Sequence, residues 1–298
     1  MKFTQKLKIK NKRKLLKLIA GIALAVVFIF AAIWIYFENK RIDVTNYDVC
    51  SSKLPESFEG FTIVQISDFH NSVFDNNNDI LIKKVKAENP NIIVLTGDYI
   101  DSRKTDVGIS VSLTERLVRI APTYYITGNH EARIPEALDE LTENFNKLGV
   151  HILRNSAEEI NYNGGVIQII GVDDPDFIAP EKNAFQNSEE MLNIIGNLKN
   201  NDEYTILLSH RREIFDTYQE AGVDLVLSGH AHGGQFRLPF LGALYAPSEG
   251  LFPKHAEGMQ TEGNMTMVVS RGLGQSVIPF RINNSPELVT VKLGKTEK

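Results

Sequence analysis

From residue 61 onward, short apolar runs rich in β-branched and aromatic residues alternate with longer stretches of helical periodicity. Phe61–Ser67, Asn91–Thr96, Tyr124–Thr127, Val166–Val172, Tyr204–Ser209 and Val223–Ser228 read as buried strands. Helical spacing covers Asp79–Glu88, closed by Asn89-Pro90, then Ser110–Ile120, closed by Ala121-Pro122, and Pro135–Leu148, closed by Gly149. Asn187–Leu198 and Arg211–Ala221, the latter closed by Gly222, continue the series. Asn163-Gly164-Gly165 predicts a hairpin turn ahead of Val166, and Met265–Ser270 and Leu288–Leu293 add two late strands. The alternation predicts an α/β domain over residues 61–298, with functional groups on the loops that leave strand carboxyl ends. Residues 38–60 are mixed and polar-rich and read as a linker with a lead-in strand.

Ile19 to Phe37 breaks this pattern. It is apolar throughout, with no charge, no proline and one glycine, Gly21. At about 1.5 Å per residue a helix of this length spans roughly 28 Å, enough to cross a hydrocarbon core. Trp34 and Tyr36 sit near its far end, where amphipathic rings favour the interface. Residues 1–18 form a basic leader: Lys2, Lys6, Lys8, Lys10, Lys12, Arg13, Lys14 and Lys17 all precede the run. The positive-inside rule places that leader in the cytoplasm and the body outside. A cleavable signal peptide would have a shorter apolar core ending in a small-x-small site. Here bulky Ile33 to Phe37 follow Ala31 and Ala32, which favours an uncleaved, single-pass anchor in the cell membrane.

Charge sharpens the division. The net charge of −5 splits into +8 over residues 1–40 and −13 over the rest. An acidic body argues against nucleic-acid binding, which rests on phosphate neutralisation by basic residues. Cys50 is the one cysteine, which excludes a disulfide framework and a thiolate-rich zinc site.

Five of the seven histidines fall at the ends of predicted strands, among Asp, Asn and Gly: Ser67-Asp68-Phe69-His70, Gly97-Asp98-Tyr99-Ile100-Asp101, Gly128-Asn129-His130-Glu131, Ser209-His210 and Gly229-His230-Ala231-His232-Gly233-Gly234. Asp68 and His70, like His230 and His232, are two apart, and on an extended backbone such pairs project to one side. Buried imidazoles and carboxylates are costly unless paired or bound to metal. Asp68, His70, Asp98, Asn129, His210, His230 and His232 exceed the three or so ligands a single catalytic zinc uses. Two ions sharing one carboxylate would use them all. An N/O donor set without thiolate suits Mn²⁺, Fe²⁺/Fe³⁺ or Zn²⁺.

In order and spacing these motifs resemble the calcineurin-like metallophosphoesterase superfamily: D-x-H, G-D-x-x-D, G-N-H-E, a single H, then G-H-x-H. The membrane leader and the Gly-His-Ala-His-Gly-Gly-Gln form are similar to its bacterial YkuE-like branch. The resemblance implies a four-layer α-β-β-α sandwich behind one transmembrane helix. It also implies two divalent ions, the first on Asp68, His70 and His232, the second on Asn129, His210 and His230, with Asp98 bridging. It gives His130 the part of general acid or hydrogen-bond donor near the leaving group, with Glu131 orienting it, and makes Asp101 a support behind the ligands. The implied reaction is hydrolysis of a phosphomonoester, phosphodiester or pyrophosphate by a hydroxide shared between the ions.

Arg133, Arg211 and Arg271 are candidate phosphate contacts, because guanidinium suits bidentate recognition, although solvated arginines would read the same way. Arg211-Arg212 stands where family members often carry a proline. Asp173 and Asp174 read as turn or capping residues, and His151 and His255 belong to no motif. The anchor points to an envelope or lipid-linked substrate. A UDP-diacylglucosamine-like pyrophosphate is one candidate, although such nucleotides are made inside the cell. Phe236, Leu238, Phe240, Leu241, Leu244, Leu251 and Phe252 would cover a lipid chain or belong to the core. No obligate protein partner is implied. The alternative is an extracytoplasmic, wall-associated binding module that keeps its ligands without turnover.

Overall fold

The computed structural model describes residues 2–200, 202–234, 236–238, 242–246, 250–251, 253, 256–275 and 278–296. Helix α1 (Lys2–Lys40) leads into β1 (Asp43–Ser51). Then follow β2 (Thr62–Ile66), α2 (Asp79–Ala87), β3 (Ile92–Thr96), α3 (Val107–Leu117), β4 (Thr123–Ile126), the short α4 (Asn129–Ala132), α5 (Pro135–Leu148) and β5 (His151–Ile152). The second half comprises β6 (Ser156–Tyr162), β7 (Gly165–Gly171), α6 (Ser188–Leu198), β8 (Thr205–Leu208), α7 (Phe215–Ala221) and β9 (Leu225–Ser228). Four two-residue strands, β10 (Arg237–Leu238), β11 (Gly242–Ala243), β12 (Tyr245–Ala246) and β13 (Gly250–Leu251), precede β14 (Gly258–Glu262), β15 (Met265–Val269) and β16 (Glu287–Lys295).

Two six-stranded sheets result, ordered β1-β16-β2-β3-β4-β5 and β14-β15-β9-β8-β7-β6. β2, β3 and β4 run parallel, as do β7, β8, β9 and β15, so carboxyl ends gather along one edge of each sheet. The strands are apolar on both faces because both faces are covered. In β3, Ile92 and Val94 enter the core between the sheets, and Ile93 and Leu95 enter the core under the helices. β8 and β9 repeat this: Ile206, Leu208, Leu225 and Leu227 face the other sheet, and Leu207 and Val226 face α6 and α7. The outer face of the first sheet is covered by α2 (Leu81, Val85), α3 (Leu113, Leu117) and α5 (Leu141, Phe145). Three apolar layers thus separate four structural ones, the expected α-β-β-α order.

The hairpin at Asn163-Gly164 is present, with both residues at positive φ (48° and 84°), the geometry of a type I′ turn. The lead-in strand is a full partner in the sheet: β1 pairs parallel with β16 along its length, and Leu54 and Phe58 beyond it enter the inter-sheet core. Its sequence signal is weak because an edge strand buries few side chains; in β1 only Val49 is fully inside. Helix α7 starts at Phe215, four residues later than its periodicity suggests, because the chain at Arg211 is still engaged at the strand end. Helix α1 is longer than its apolar run. Its Lys12–Lys40 stretch is long and apolar enough to cross a membrane, and the most apolar window of that stretch is not covered by the body. Phe236 and Leu244 are half-buried; Gln235, Phe240, Leu241, Phe252 and His255, with the side chains of Leu238 and Leu251, lie outside the described residues.

Candidate metal centre

The loops after β2, β3 and β4 of one sheet meet those after β8 and β9 of the other. Each ligand candidate sits within the first few residues past its strand, where the chain must turn sharply. Asp68 (φ 49°), His70 (47°), Asp98 (49°), His230 (70°) and His232 (50°) all adopt the left-handed conformation. Such backbone costs on the order of 1–3 kcal/mol per residue and persists where the surroundings impose it, commonly at functional sites. Close approach sets the glycines here. A Cβ on Gly128 would lie 2.4 Å from Asp98 Oδ1, and one on Gly229 would lie 2.4 Å from Asp68 Oδ2.

The side chains converge. Asp68, His70, Asp98 and His232 form one group whose ligand atoms all lie within 4.8 Å of one another; Asp98, His210 and His230 form a second, and His70, Asp101 and His130 a third. Asp98 joins the first two. His70 Nε2 is 3.7 Å and His210 Nε2 3.3 Å from Asp98 Oδ2, and His232 Nε2 is 3.3 Å from Asp68 Oδ1. The Nε2 atoms of His70 and His232 face each other at 3.4 Å. His210 Nδ1 donates to the Thr96 carbonyl (2.8 Å), which leaves Nε2 facing the two carboxylates. Asn129 Oδ1 is buried without a hydrogen-bond partner among the described residues. Buried polar atoms without partners are rare and call for an explanation; a cation supplies it. The donor set fits a pair of divalent ions.

Electrostatics agree. Burial outweighs the Asp98 charge and pushes His70 down to about 3. His230 and His232 are also held well below the usual imidazole range, by burial and by Arg211 and Arg281 respectively. All three are therefore neutral, the ligating form. Burial pushes Asp68 up to about 6, reinforced by Asp98 and opposed by His210. Burial also acts against Asp98, but His210, His130 and His70 outweigh it and hold the carboxyl well below its ordinary range. His210 differs: it is raised to about 10 despite burial, because Asp98 and Asp68 hold its proton, which an ion bound at Nε2 would displace.

The supporting residues differ from expectation in one exchange. Glu131 does not touch His130. Its buried carboxylate accepts four backbone N–H groups: Asp98 (2.9 Å) and Gly128 (2.7 Å) on one oxygen, Tyr99 (2.6 Å) and Ile100 (2.9 Å) on the other. It thus fixes the turn that carries Asp98. Burial and the Asp98 charge push Glu131 up to about 7 against those bonds. Four converging donors leave no place for a proton, so the turn is built around the carboxylate. Asp101 is the residue against His130, with Oδ1 3.4 Å from Nδ1. The Ser102 N–H also donates to His130 Nδ1 (3.0 Å), which places the ring proton on Nε2, 3.9 Å from Asp98 Oδ2. Burial lowers the His130 pKa, but Asp98 and Asp101 outweigh it and raise it above the ordinary value.

The three arginines are all engaged by acids. Arg211 is buried, bonded to Asp174 (2.7 Å) and Asp176 (2.8 Å), with Nη1 3.1 Å from His230 Nε2. Arg271 lies 3.3 Å from Glu287 and 3.6 Å from Glu257. Arg133 is exposed at the rim, 3.5 Å from Asp176. Asp174 caps the turn at Pro175–Phe177, and Asp173 pairs with Arg154 and Thr127. His151 stacks on Tyr124 and pairs with Glu158, away from the cluster. One supporting residue carried no motif: Arg281, fully buried, reaches the Gly274 carbonyl (3.0 Å) and His232 Nδ1 (3.3 Å). Its only signal is a charge inside the apolar Ile278–Ile282 stretch.

A family model described as calcineurin-like phosphoesterase matches residues 61–234. The uncharacterized metallophosphoesterase YkuE of Bacillus subtilis is 30% identical over 276 residues, covering 88% of each chain. An uncharacterized metallophosphoesterase of Aquifex aeolicus is 30% identical over 87% of this chain and 94% of its own. Phosphodiesterase YaeI of Escherichia coli is 27% identical over 69% and 71%.

Proposed function

The chain belongs to the calcineurin-like phosphoesterase family, a class of phosphoester hydrolases, and from that premise we infer a two-ion site acting on a membrane-associated phosphate ester. Asp68, His70 and His232 would hold one ion, Asn129, His210 and His230 the other, and Asp98 both. The observation that carries this reading is that Asp98 is common to both ligand groups. Two such ions would activate water and offset the charge that develops on phosphorus. The chain's own residues do the rest. Glu131 fixes the Asp98 turn. His130 presents its Nε2 proton toward the cluster, positioned to donate to a leaving oxygen. Arg133, the exposed arginine at the rim, is the one placed to meet a phosphate from solvent.

The apolar helix anchors the body, and the basic leader favours an outward-facing site. That location suits a phosphomonoester, phosphodiester or pyrophosphate of the envelope, such as a lipid-linked one. The test is hydrolysis of p-nitrophenyl phosphate and its bis ester by the full chain in detergent with Mn²⁺, alongside metal analysis. Wild type is expected to bind two ions per chain. Asp98→Asn and His232→Ala are expected to lose at least 10²-fold in kcat. Unchanged turnover in both would refute the assignment.

A further inference from the structure

The last turns of α1 are held to the body by specific bonds. Asn39 Nδ2 donates to the Arg281 carbonyl (2.9 Å), Arg281 N–H donates back to Asn39 Oδ1 (2.8 Å), and Lys40 Nζ donates to the Val73 carbonyl (2.8 Å). Ile42, just past the helix, is buried in the core under the helices. The membrane-crossing segment therefore ends against the loop that leaves Asp68 and His70.

A cavity of about 380 Å³ lies at that junction, walled by Ile35 and Tyr36 of α1, by Val73 and Phe74, and by Pro279 and Phe280. Val73 is 49% and Phe280 37% exposed, so the wall presents apolar side chains that the described residues leave uncovered. A second cavity, about 710 Å³, adjoins it and shares Ser72, Val73, Gln275 and Pro279. Its lining carries more charged groups: His70, Asp101, Arg103, Lys104 and Asp106, with Arg103 held by Asp101 (3.0 Å). Both volumes suit a ligand site. The order along this path is membrane helix, the cavity against its last turns, the charged residues 101–106, then His70.

We propose that the cavity between α1 and Phe280 receives one hydrocarbon chain of a membrane lipid whose phosphate head group lies in the adjoining cavity beside His70. This deepens the phosphoesterase reading, on which it rests for the chemistry at the head group. The occupant follows from position. Trp34 and Tyr36 mark the level of the membrane interface, so the cavity opens where lipid chains end and head groups begin. An amphiphile seated with its chain between α1 and Phe280 brings its phosphate toward His70 and the ligand cluster. A water-soluble nucleotide would leave the Ile35, Val73 and Phe280 side chains uncovered.

The test uses the full chain in phosphatidylcholine nanodiscs doped with a phosphatidic acid that carries a diazirine on one acyl chain. After irradiation, the label is expected at residues 72–74 and 279–280. It is expected to fall at least fivefold in Val73→Glu and in Phe280→Ser, each with bound Mn²⁺ per chain equal to wild type. Label confined to the exposed sides of α1 between residues 15 and 30, or label at the junction that neither substitution reduces, would overturn the proposal. Labelling as expected without hydrolysis of any soluble ester would leave the cavity assignment standing and defeat the phosphoesterase reading instead.

Discussion

Glu131→Gln is the most informative single perturbation of the centre, because it keeps volume while removing the charge and one of the two acceptor oxygens. The carboxylate accepts from Asp98 and Gly128 on one oxygen and from Tyr99 and Ile100 on the other. A glutamine retains one oxygen and turns an NH₂ toward the remaining pair of N–H donors. Two bonds to a charged acceptor are lost, at about 1.5–3 kcal/mol each, or about 3–6 kcal/mol in all. For a domain of this size each kcal/mol moves Tm by about 2–4 °C, so thermal unfolding should fall by about 6 to 24 °C. The damage should also reach the ligands, since the turn that carries Asp98 loses its anchor. A displacement of about 1 Å at a reacting centre costs on the order of 10²-fold in rate. Differential scanning fluorimetry with and without Mn²⁺, metal analysis and bis-p-nitrophenyl phosphate turnover read the three consequences. A variant that melts within 2 °C of wild type and retains full metal content would show that the Asp98 turn does not depend on Glu131.

The His210 proton gives a pH signature. Its folded pKa, about 10, exceeds the unfolded value of about 6.5, so the stabilisation is complete below 6.5 and is lost as pH rises toward 10. Tm of the metal-free protein should therefore decline between pH 7 and 10. Mn²⁺-loaded protein should lack that decline, and calorimetry in buffers of different ionisation enthalpy should detect proton release on metal binding. Gly229→Ala drives a methyl to 2.0 Å from Ser67 Oγ and 2.4 Å from Asp68 Oδ2. It should cost about 1–3 kcal/mol and roughly one bound ion per chain, read by thermal melts and elemental analysis. Arg281→Met removes the contact to His232 Nδ1 while filling the space, and should weaken Mn²⁺ binding by about 10–100-fold in a titration.

The strands and the residues that leave them were legible because each parallel strand is buried on both faces, so an unbroken apolar run such as Ile92–Leu95 marks its own length and Gly97 marks its end. The i,i+2 spacing of Asp68 with His70 and of His230 with His232 made ligand pairs visible. The edge strand Asp43–Ser51 was only half legible, since its polar face leaves a weak pattern. The parts of Glu131 and Asp101 could not be read at all, because both are acids near His130 in the chain and only the folded loops show which one reaches it.

Taken alone, the order of residues determined where strands stop, which side chains sit at their ends and which segment is apolar enough to span a bilayer. These are local properties, set by backbone preference and by hydrophobic period. Tertiary structure decided that the ends of two separate sheets meet edge to edge, that Asp98 is common to both clusters and that Arg281 backs His232. It also seated the end of the membrane helix beside the cavity next to His70. Contacts between residues more than a hundred positions apart depend on how apolar layers stack, and no local pattern encodes that.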